Sequence, residues 1–555
     1  MGFTDLLENV GSMGKFQIIQ AALLAIPICT LACHNLLQNF TGAVPNHHCR
    51  VQPELNGSKY DKPQAKELLR IFIPQDRKQQ PEKCCVYSSP QWHLLDLNVT
   101  LDNVTDYDTE QCTDGWTYDT SEFSSTIITE WDLVCNKKSL KPMAQSVYMG
   151  GVLVGALVLG ALSDRFGRRT VLLWSHMQMA ISGICAAFSS SFALYCFWRF
   201  VTGVSQSGIT LNIFSLTVEW TPTNMRTLIS TINGYSYTSG QLLLAGLAYG
   251  IRDWRWLQFT VSAPYFIFFL YSWWFPESAR WLILNNKTDV ALKQLKRVAK
   301  LNGKEAEGNK LTTTILKSRM EKELSNTKKN YGMMDLFRTP VMRKNICCSM
   351  CVWFAASFGY YGLAMDLQGF GVDIYLLQVI FGIVDIPAKT IAIVSMSFIG
   401  RRWTLGSSLI LAGLITLTNI FVPPELQIVR TALAVIGKGC LSACFTCALL
   451  YGGELYPTVV RQTAIGLMST MARVGAMLAP FAKLASNTFP AATLGIYGGV
   501  PIIAGIIAYL LPETRNIPLP DTIEDIESRA TKDAEKDKEP KKEETVLQET
   551  DMSLL

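Results

Sequence analysis

About twelve apolar runs, each close to the length of a membrane-spanning helix, constrain the fold of this chain more than any other feature. A helix needs roughly 20 apolar residues to cross the hydrocarbon core of a bilayer. The first run occupies 16–37, five more fall within 141–275, and six fall within 346–512. With 49% hydrophobic and 17% charged residues among 555, the composition excludes an ordinary soluble protein. The sequence therefore predicts an all-α polytopic membrane protein.

A polar turn, GALSDRFGRR, connects the apolar runs 143–163 and 170–190. Charged side chains are costly in hydrocarbon, so Asp164, Arg165, Arg168 and Arg169 are predicted to lie at the membrane surface. A shorter version, IGRR, follows another apolar run 233 residues later (400 minus 167). Recurrence of one turn at corresponding places predicts two related halves of six helices each.

The distribution of charge orients these helices in the membrane. Segment 37–140 contains ten Lys and Arg residues against fifteen Asp and Glu, whereas segment 276–345 contains sixteen against seven. Because basic loops favour the cytosolic side, the linker 276–345 is predicted to be cytosolic and the loop 38–140 extracellular. The N-terminus 1–15 and the tail 513–555 are then cytosolic as well. The tail is rich in Glu and Lys without periodicity, so we expect it to be disordered.

The loop 38–140 has the sequence features of an extracellular domain. It contains three glycosylation motifs, at Asn56, Asn98 and Asn103, whereas a fourth motif at Asn286 falls in the basic linker and should be unused. An oxidising compartment also favours disulfides between its cysteines. Their number is odd, so one remains unpaired, either Cys84 or Cys85. The five candidates are Cys49, Cys84, Cys85, Cys112 and Cys135. No cysteine spacing suggests a metal site.

Two cations stand well inside apolar runs, and they are the strongest candidates for a binding site. Lys389 lies midway along the eighth run, where Asp385 one turn earlier offers an ion pair. Arg473 lies midway along the eleventh run without an acid within four residues, so it is expected to face a central cavity. A guanidinium can bind a carboxylate bidentately, and aromatic residues on neighbouring runs supply apolar surface for the rest of an organic anion. Arg199 and Glu219, in the fourth run, are expected to form ion pairs with the 160–169 turn.

Several strings resemble known transporters. GALSDRFGRR resembles the loop between the second and third helices of the major facilitator superfamily, a fold of twelve transmembrane helices. DGW with EWDLVC, and GELYPT with the final LPET, resemble its organic ion branch. SFGYYGLAMDLQGFG, FGIVDIPAK, GKGCLSACF and STMARVG resemble the organic anion transporter subgroup. The N-terminal strings FTDLLENVGSMGKFQ and LACHNLLQNFTGAVPNHHCR are similar to those of its kidney-type para-aminohippurate exchangers.

The resemblance implies roles for individual residues. Arg473 and Lys389 would be the anion-binding cations, and Arg473 with Thr210 would hold chloride. The residues that would take part in conformational switching are Asp164, Arg165, Arg168 and Arg169. The remaining substrate contacts implied are Asn35 and the aromatic residues Tyr237, Trp353, Tyr360, Tyr361 and Phe445.

The resemblance also implies a function. The chain would take up organic anions, such as para-aminohippurate-like aromatic carboxylates, in exchange for an intracellular dicarboxylate of the 2-oxoglutarate type. It would reside in the plasma membrane, basolaterally in polarised epithelium, without enzymatic activity, nucleic-acid partner or cofactor other than chloride. The sequence contains no GxxxxGK[ST] nucleotide-binding motif, so it gives no support for transport driven directly by ATP. One alternative is an organic cation or zwitterion carrier of the same branch, although Arg473 favours anions as substrates. The other alternative is a membrane receptor without transport.

Overall fold

The computed structural model describes residues 11–536 apart from short gaps, and the described chain is mostly helical. The gaps are 52–68, 76–79, 93–107, 223–224, 319–332, 424, 458–459, 483–491, 516, 518–519 and 521–522. The predicted glycosylation sites Asn56, Asn98 and Asn103 lie outside the described residues, as do 1–10 and 537–555.

Six helical segments build the N-terminal half. The sixth consists of two helices that meet at Ala263, where Pro264 begins the second one. The segments are α1 (Lys15–Leu36), α2 (Leu140–Phe166), α3 (Arg168–Ala187), α4 (Phe192–Trp220), α5 (Arg226–Gly250), α6a (Trp254–Ser262) and α6b (Pro264–Ser272).

Six further helices build the C-terminal half. They are α7 (Pro340–Ala364), α8 (Ile374–Phe398), α9 (Arg401–Phe421), α10 (Gln427–Leu455), α11 (Arg461–Ala482) and α12 (Ala492–Ala508). Across the described part of the chain, eight helices are both long and apolar enough to span a membrane by themselves. The others are shorter, or contain polar residues that the bundle buries.

The same helices pack together in both halves. In the N-terminal half α1 packs on α5, α2 on α4, and α3 on α4 and α6. In the C-terminal half α7 packs on α11, α8 on α10, and α9 on α10 and α12. Across the interface α2 packs on α11, and α5 packs on α8. Each contact therefore has a counterpart six helices later, as the repeated turn predicts.

The turn between α2 and α3 is organised around Glu277. Gly167 adopts a φ of +99°, a conformation that a residue with a Cβ rarely takes, and it ends α2. The backbone N–H groups of Arg168 and Arg169 then donate to the Glu277 carboxylate at 2.9 and 3.1 Å. The Arg168 side chain contacts Asp164 at 2.9 Å and Glu219 at 3.6 Å.

The corresponding turn between α8 and α9 repeats this arrangement. Gly400 has a φ of +112°, and Glu513 accepts from the backbone N–H groups of Arg401 and Arg402 at 2.9 and 3.1 Å. The Arg401 guanidinium donates twice to Glu454, at 3.0 Å each. Glu277 and Glu513 belong to the strings PESAR and LPET, so each half carries its own carboxylate at the end of its sixth crossing.

Arg199 does not join this turn, and that expectation was wrong. It lies near the start of α4, at the end of the helix remote from Glu219, so only Glu219 is within reach of the turn. The Arg199 guanidinium is buried 4.2 Å above the Tyr148 ring, and none of its nitrogen atoms has a hydrogen-bond partner among the described residues.

Two short antiparallel strand pairs build the described part of 38–140, the predicted extracellular domain. Strand β1 (His47–Cys49) pairs with β4 (Trp116–Tyr118), and β2 (Cys85–Tyr87) pairs with β3 (Thr109–Gln111). Disulfides join Cys49 to Cys112 and Cys84 to Cys135, which leaves Cys85 as a free thiol. Below these strands, the short helix Ile127–Trp131 packs onto the outer ends of α4 and α6a.

The linker and the tail differ from the expected boundaries. Helix α7 begins at Pro340, inside the predicted linker. The buried face of the helix Thr288–Leu301 belongs to the core cluster that also contains Phe16 and Trp220. The tail was expected to be disordered from residue 513, but 523–536 form a helix. Ile526 of that helix is buried, and Glu527 accepts a hydrogen bond from the Val341 N–H at 3.2 Å.

Candidate substrate-binding site

Asp385 does not form an ion pair with Lys389, although their spacing along one helix allows it. The Asp385 carboxylate instead forms an ion pair of 2.9 Å with Lys438 of α10, and both side chains are fully buried. Lys438 also donates to the Phe381 carbonyl at 2.9 Å and to Gln241 of α5 at 3.0 Å. Gln241 in turn donates to Asp385 at 2.8 Å. The carboxylate that could have paired with Lys389 is thus paired with a lysine of a neighbouring helix.

Lys389 is held entirely by neutral groups. Its ammonium donates to the Gly234 carbonyl at 2.8 Å and to the Thr238 hydroxyl at 2.7 Å, both on α5. The side chain is half-buried. These bonds satisfy two donors without neutralising the charge, so a positive potential remains where α5 and α8 cross between the two halves.

Arg473 also lacks a counter-charge among the described residues. Its guanidinium donates to the Ser469 hydroxyl at 2.8 Å, one turn earlier on α11. No carboxylate within the described ranges forms a salt bridge with it. Tyr361 of α7 lies close enough for its hydroxyl to interact electrostatically with this guanidinium. Arg473 is half-buried, so a polar ligand has access to its remaining N–H donors.

Aromatic side chains of both halves meet beside Arg473. The Tyr360 ring meets Tyr361 and Phe445 edge-on, with centroids 5.4 and 5.7 Å apart. Tyr361 also interacts with the hydroxyl of Tyr237 on the opposite half. Edge-to-face contacts of this kind hold rings in defined orientations. Four of the predicted aromatic residues therefore form one continuous wall across the interface.

Asn35 positions this wall from the N-terminal half. Its amide nitrogen donates to the Tyr237 hydroxyl at 3.2 Å. Its amide oxygen accepts from Gln206 at 2.5 Å and from Tyr148 at 3.1 Å. Asn35 is buried, and both ends of its amide are engaged. It therefore acts through Tyr237 in this conformation.

Two predicted site residues stand apart from this group. Trp353 is buried in the core of the C-terminal half, in the cluster that also contains Tyr451 and Met468. Thr210 is exposed, and its hydroxyl donates to the Gln206 carbonyl of its own helix at 2.9 Å. Since Arg473 also bonds within its own helix, none of these hydrogen bonds joins Thr210 to Arg473.

Sequence reasoning missed Lys438, Gln241 and Gln206. Lys438 stands inside an apolar run just as Lys389 and Arg473 do, so the same criterion would have identified it. The two glutamines carry no charge, and their roles depend on which helices meet. No group of three or more potential metal ligands occurs among the residues that the structure describes.

The outer side of the bundle is closed between α1 and α7. Asn39, just beyond α1, donates to the Ala364 carbonyl at the end of α7 at 2.8 Å. Nearby, Gln368 accepts from the Val44 N–H at 3.0 Å and donates to the Val44 carbonyl at 3.2 Å. These bonds join the two halves at the end of the bundle next to the strand pairs.

Comparison with known proteins identifies relatives along the whole chain. Residues 104–526 match the family described as "Sugar (and other) transporter". Solute carrier family 22 member 6-A of Xenopus laevis is 54% identical over 545 residues, covering 98% of this chain and 96% of the relative. Member 6 of Danio rerio is 53% identical over 95% of each chain. Member 20 of Mus musculus is 48% identical over 100% of this chain and 99% of its own.

Solved structures support the fold independently. The partially occluded inward-open xylose transporter XylE from E. coli matches with a TM-score of 0.54, over 68% of this chain and 89% of its own. Its sequence identity is 18%, so this similarity concerns the fold alone. The predicted major facilitator fold is thereby confirmed. The chain belongs to the organic anion transporter subgroup of solute carrier family 22, within the major facilitator superfamily, and is similar to member 6 along nearly its entire length.

Proposed function

We propose that this organic anion transporter exchanges extracellular amphipathic organic anions for an intracellular dicarboxylate by alternating access. The two halves would rock about the aromatic wall, so that the site faces each side in turn. The transporter would work in the plasma membrane, basolaterally in polarised epithelium.

The observation that carries this proposal is the neutral surroundings of both Lys389 and Arg473. Their described hydrogen-bond partners are two hydroxyls and one carbonyl, so neither charge is compensated. An uncompensated cation at this depth is costly unless it faces water or an anion. A bound carboxylate supplies the missing charge, and a guanidinium binds it bidentately.

The presence of two cations without a counter-charge also supports the choice of counter-substrate. An aromatic monocarboxylate would pair with one cation and pack against the aromatic rings. A dicarboxylate would pair with both cations and contact few of the rings. The two ligand classes would therefore compete for overlapping positions, as exchange requires. Chloride would occupy the Arg473 position when no carboxylate does, with Thr210 as a further donor in another conformation.

Counterflow in proteoliposomes tests the exchange. Vesicles that contain the purified chain are preloaded with 2-oxoglutarate, and uptake of a labelled aromatic carboxylate is measured. We expect internal dicarboxylate to accelerate uptake in the wild type, and Arg473→Ala to abolish both uptake and its response to chloride. Lys300→Ala serves as the control, because it removes a positive charge from an exposed linker position. Equal uptake with and without internal dicarboxylate would refute exchange, while wild-type uptake by Arg473→Ala would refute the site.

A further inference from the structure

A cavity lies on the extracellular side, between the base of the extracellular domain and the outer ends of α1, α2, α7, α11 and α12. Its volume is about 720 Å³, within the range of pockets that hold drug-sized molecules. We call it the outer vestibule. Its lining combines apolar groups such as Val134, Tyr361 and Tyr497 with polar groups from the extracellular domain.

The charge of the outer vestibule is opposite to that of the domain above it. Lys83, Lys138 and Lys141 line it against a single acid, Asp366, a formal charge of +2 from three cations minus one anion. The loop 37–140 as a whole has ten basic and fifteen acidic residues. His47 also lines the cavity, and burial lowers its pKa, so it remains neutral at pH 7. Positive charge is thus concentrated at the cavity in an otherwise acidic domain.

A buried acceptor of one lining residue adds specificity. The Gln145 amide nitrogen donates to the Asn35 carbonyl at 3.2 Å, while its oxygen is buried without a partner in the described part of the chain. A buried acceptor without a donor costs free energy, which a water molecule or a ligand N–H removes. Gln145 also connects the vestibule to the residue that positions Tyr237.

Tyr361 is shared between the outer vestibule and the aromatic wall. It lines the vestibule and contacts Tyr360 within the wall. The bond between Asn39 and Ala364 closes the bundle at the same level. A ligand in the vestibule would therefore rest against the outer face of the closed site.

We propose that the outer vestibule is an extracellular binding site for amphipathic monocarboxylates, occupied while the central site is closed to the outside. The carboxylate lies among the three lysines, the apolar part of the ligand covers Val134 and Tyr361, and an N–H of the ligand meets Gln145. The assignment of monocarboxylates rests on the proposed transport of organic anions. The vestibule raises the local concentration of anions before the halves reopen.

Equilibrium binding of a labelled aromatic monocarboxylate to the purified full-length chain tests this proposal. We expect a tight and a weak component, with Arg473→Ala removing the tight one only. Lys83→Gln combined with Lys138→Gln should weaken the weak component about three- to tenfold and raise the KM for uptake at low salt with kcat unchanged. Lys137→Gln is the matched control, since this adjacent lysine does not line the cavity.

The outcomes separate the two proposals. Loss of both components in Arg473→Ala, or an unchanged weak component in the double lysine variant, would overturn the outer site. Saturable weak binding without any exchange would leave the outer site standing and refute the exchange mechanism. Titration with sodium chloride gives a second readout without mutation, because the weak component should fall more steeply with ionic strength in the wild type than in the double variant.

Discussion

The ammonium of Lys438 and the carboxylate of Asp385 form an ion pair of 2.9 Å in which both side chains are hidden from solvent. Gln241 of the opposite half bonds to both partners and also donates to the Tyr360 hydroxyl at 3.3 Å. The pair thus joins α8 and α10, and through Gln241 it sets the position of the aromatic wall. This makes it a structural support of the candidate site.

Removing one member of this pair should destabilise the protein strongly. A buried charge left without its partner costs about 3–5 kcal/mol, whereas replacing both partners is often close to neutral. We therefore expect Lys438→Met and Asp385→Asn each to lower the melting temperature and surface expression, and the double variant to recover much of both. Thermal unfolding in detergent and surface biotinylation measure this. Additive losses in the double variant would contradict the coupling.

The contact between α2 and α4 should tolerate no side chain at Gly203. A Cβ there would lie 2.2 Å from the carbonyl oxygen of Tyr148, so the two helices would have to separate. Overpacking of this kind costs about 1–3 kcal/mol, and Gly203→Ala should lower the melting temperature. Gly246→Ala is the control, because a Cβ at that position meets nothing within 4 Å. Equal melting temperatures for the two variants would exclude this contact.

The turns at the ends of α2 and α8 should control the rate of exchange without changing affinity. Arg168 and Arg401 bind acids at helix ends remote from Lys389 and Arg473. We expect Arg168→Ala and Arg401→Ala to slow counterflow while leaving equilibrium binding of substrate unchanged. Asp164→Asn should have a smaller effect, since the Asp164 side chain is 76% exposed and such pairs contribute little. A selective change in affinity for one substrate, at normal expression, would argue against this division of roles.

Glycan mapping should confirm the orientation in the membrane. Asn286 lies between the helices Ala279–Leu284 and Thr288–Leu301, on the same side as the α2–α3 turn, so it should remain unmodified. We expect Asn→Gln at Asn56, Asn98 or Asn103 each to shift electrophoretic mobility in a glycosidase-sensitive manner. A mobility shift for Asn286→Gln would reverse the assigned topology.

Cys85 should be the extracellular thiol that an impermeant maleimide labels on intact cells. Its pKa is raised by burial and by the neighbouring Glu82, so the reactive thiolate is scarce at neutral pH and becomes more abundant as the pH rises. Labelling should therefore accelerate between pH 7 and pH 9 and disappear in Cys85→Ser, with normal surface expression. Cys84→Ser instead breaks a disulfide and should reduce surface expression. Undiminished labelling of Cys85→Ser would place the free thiol elsewhere.

The sequence alone determined the architecture, because the hydrocarbon core of the membrane constrains the composition of each segment separately. Each crossing must be apolar over its own length, and each polar turn must leave the membrane next to it. The apolar runs and the repeated turns at Gly167 and Gly400 therefore predict twelve helices in two related halves. The strings around Arg473 and Lys389 likewise identify the family, since they are contiguous in the chain.

Only the tertiary structure decided which partner each buried polar group takes. Spacing along α8 favours Asp385 for Lys389, but a carboxylate compensates best the cation with the least access to solvent, and that is Lys438 on the adjacent helix. The error at Arg199 did not depend on the tertiary structure, because Arg199 and Glu219 are 20 residues apart (219 minus 199) and one helix separates them by about 30 Å. The outer vestibule, by contrast, was invisible in the sequence. It arises where the extracellular domain covers the ends of several helices, and no local pattern describes a surface that distant segments build together.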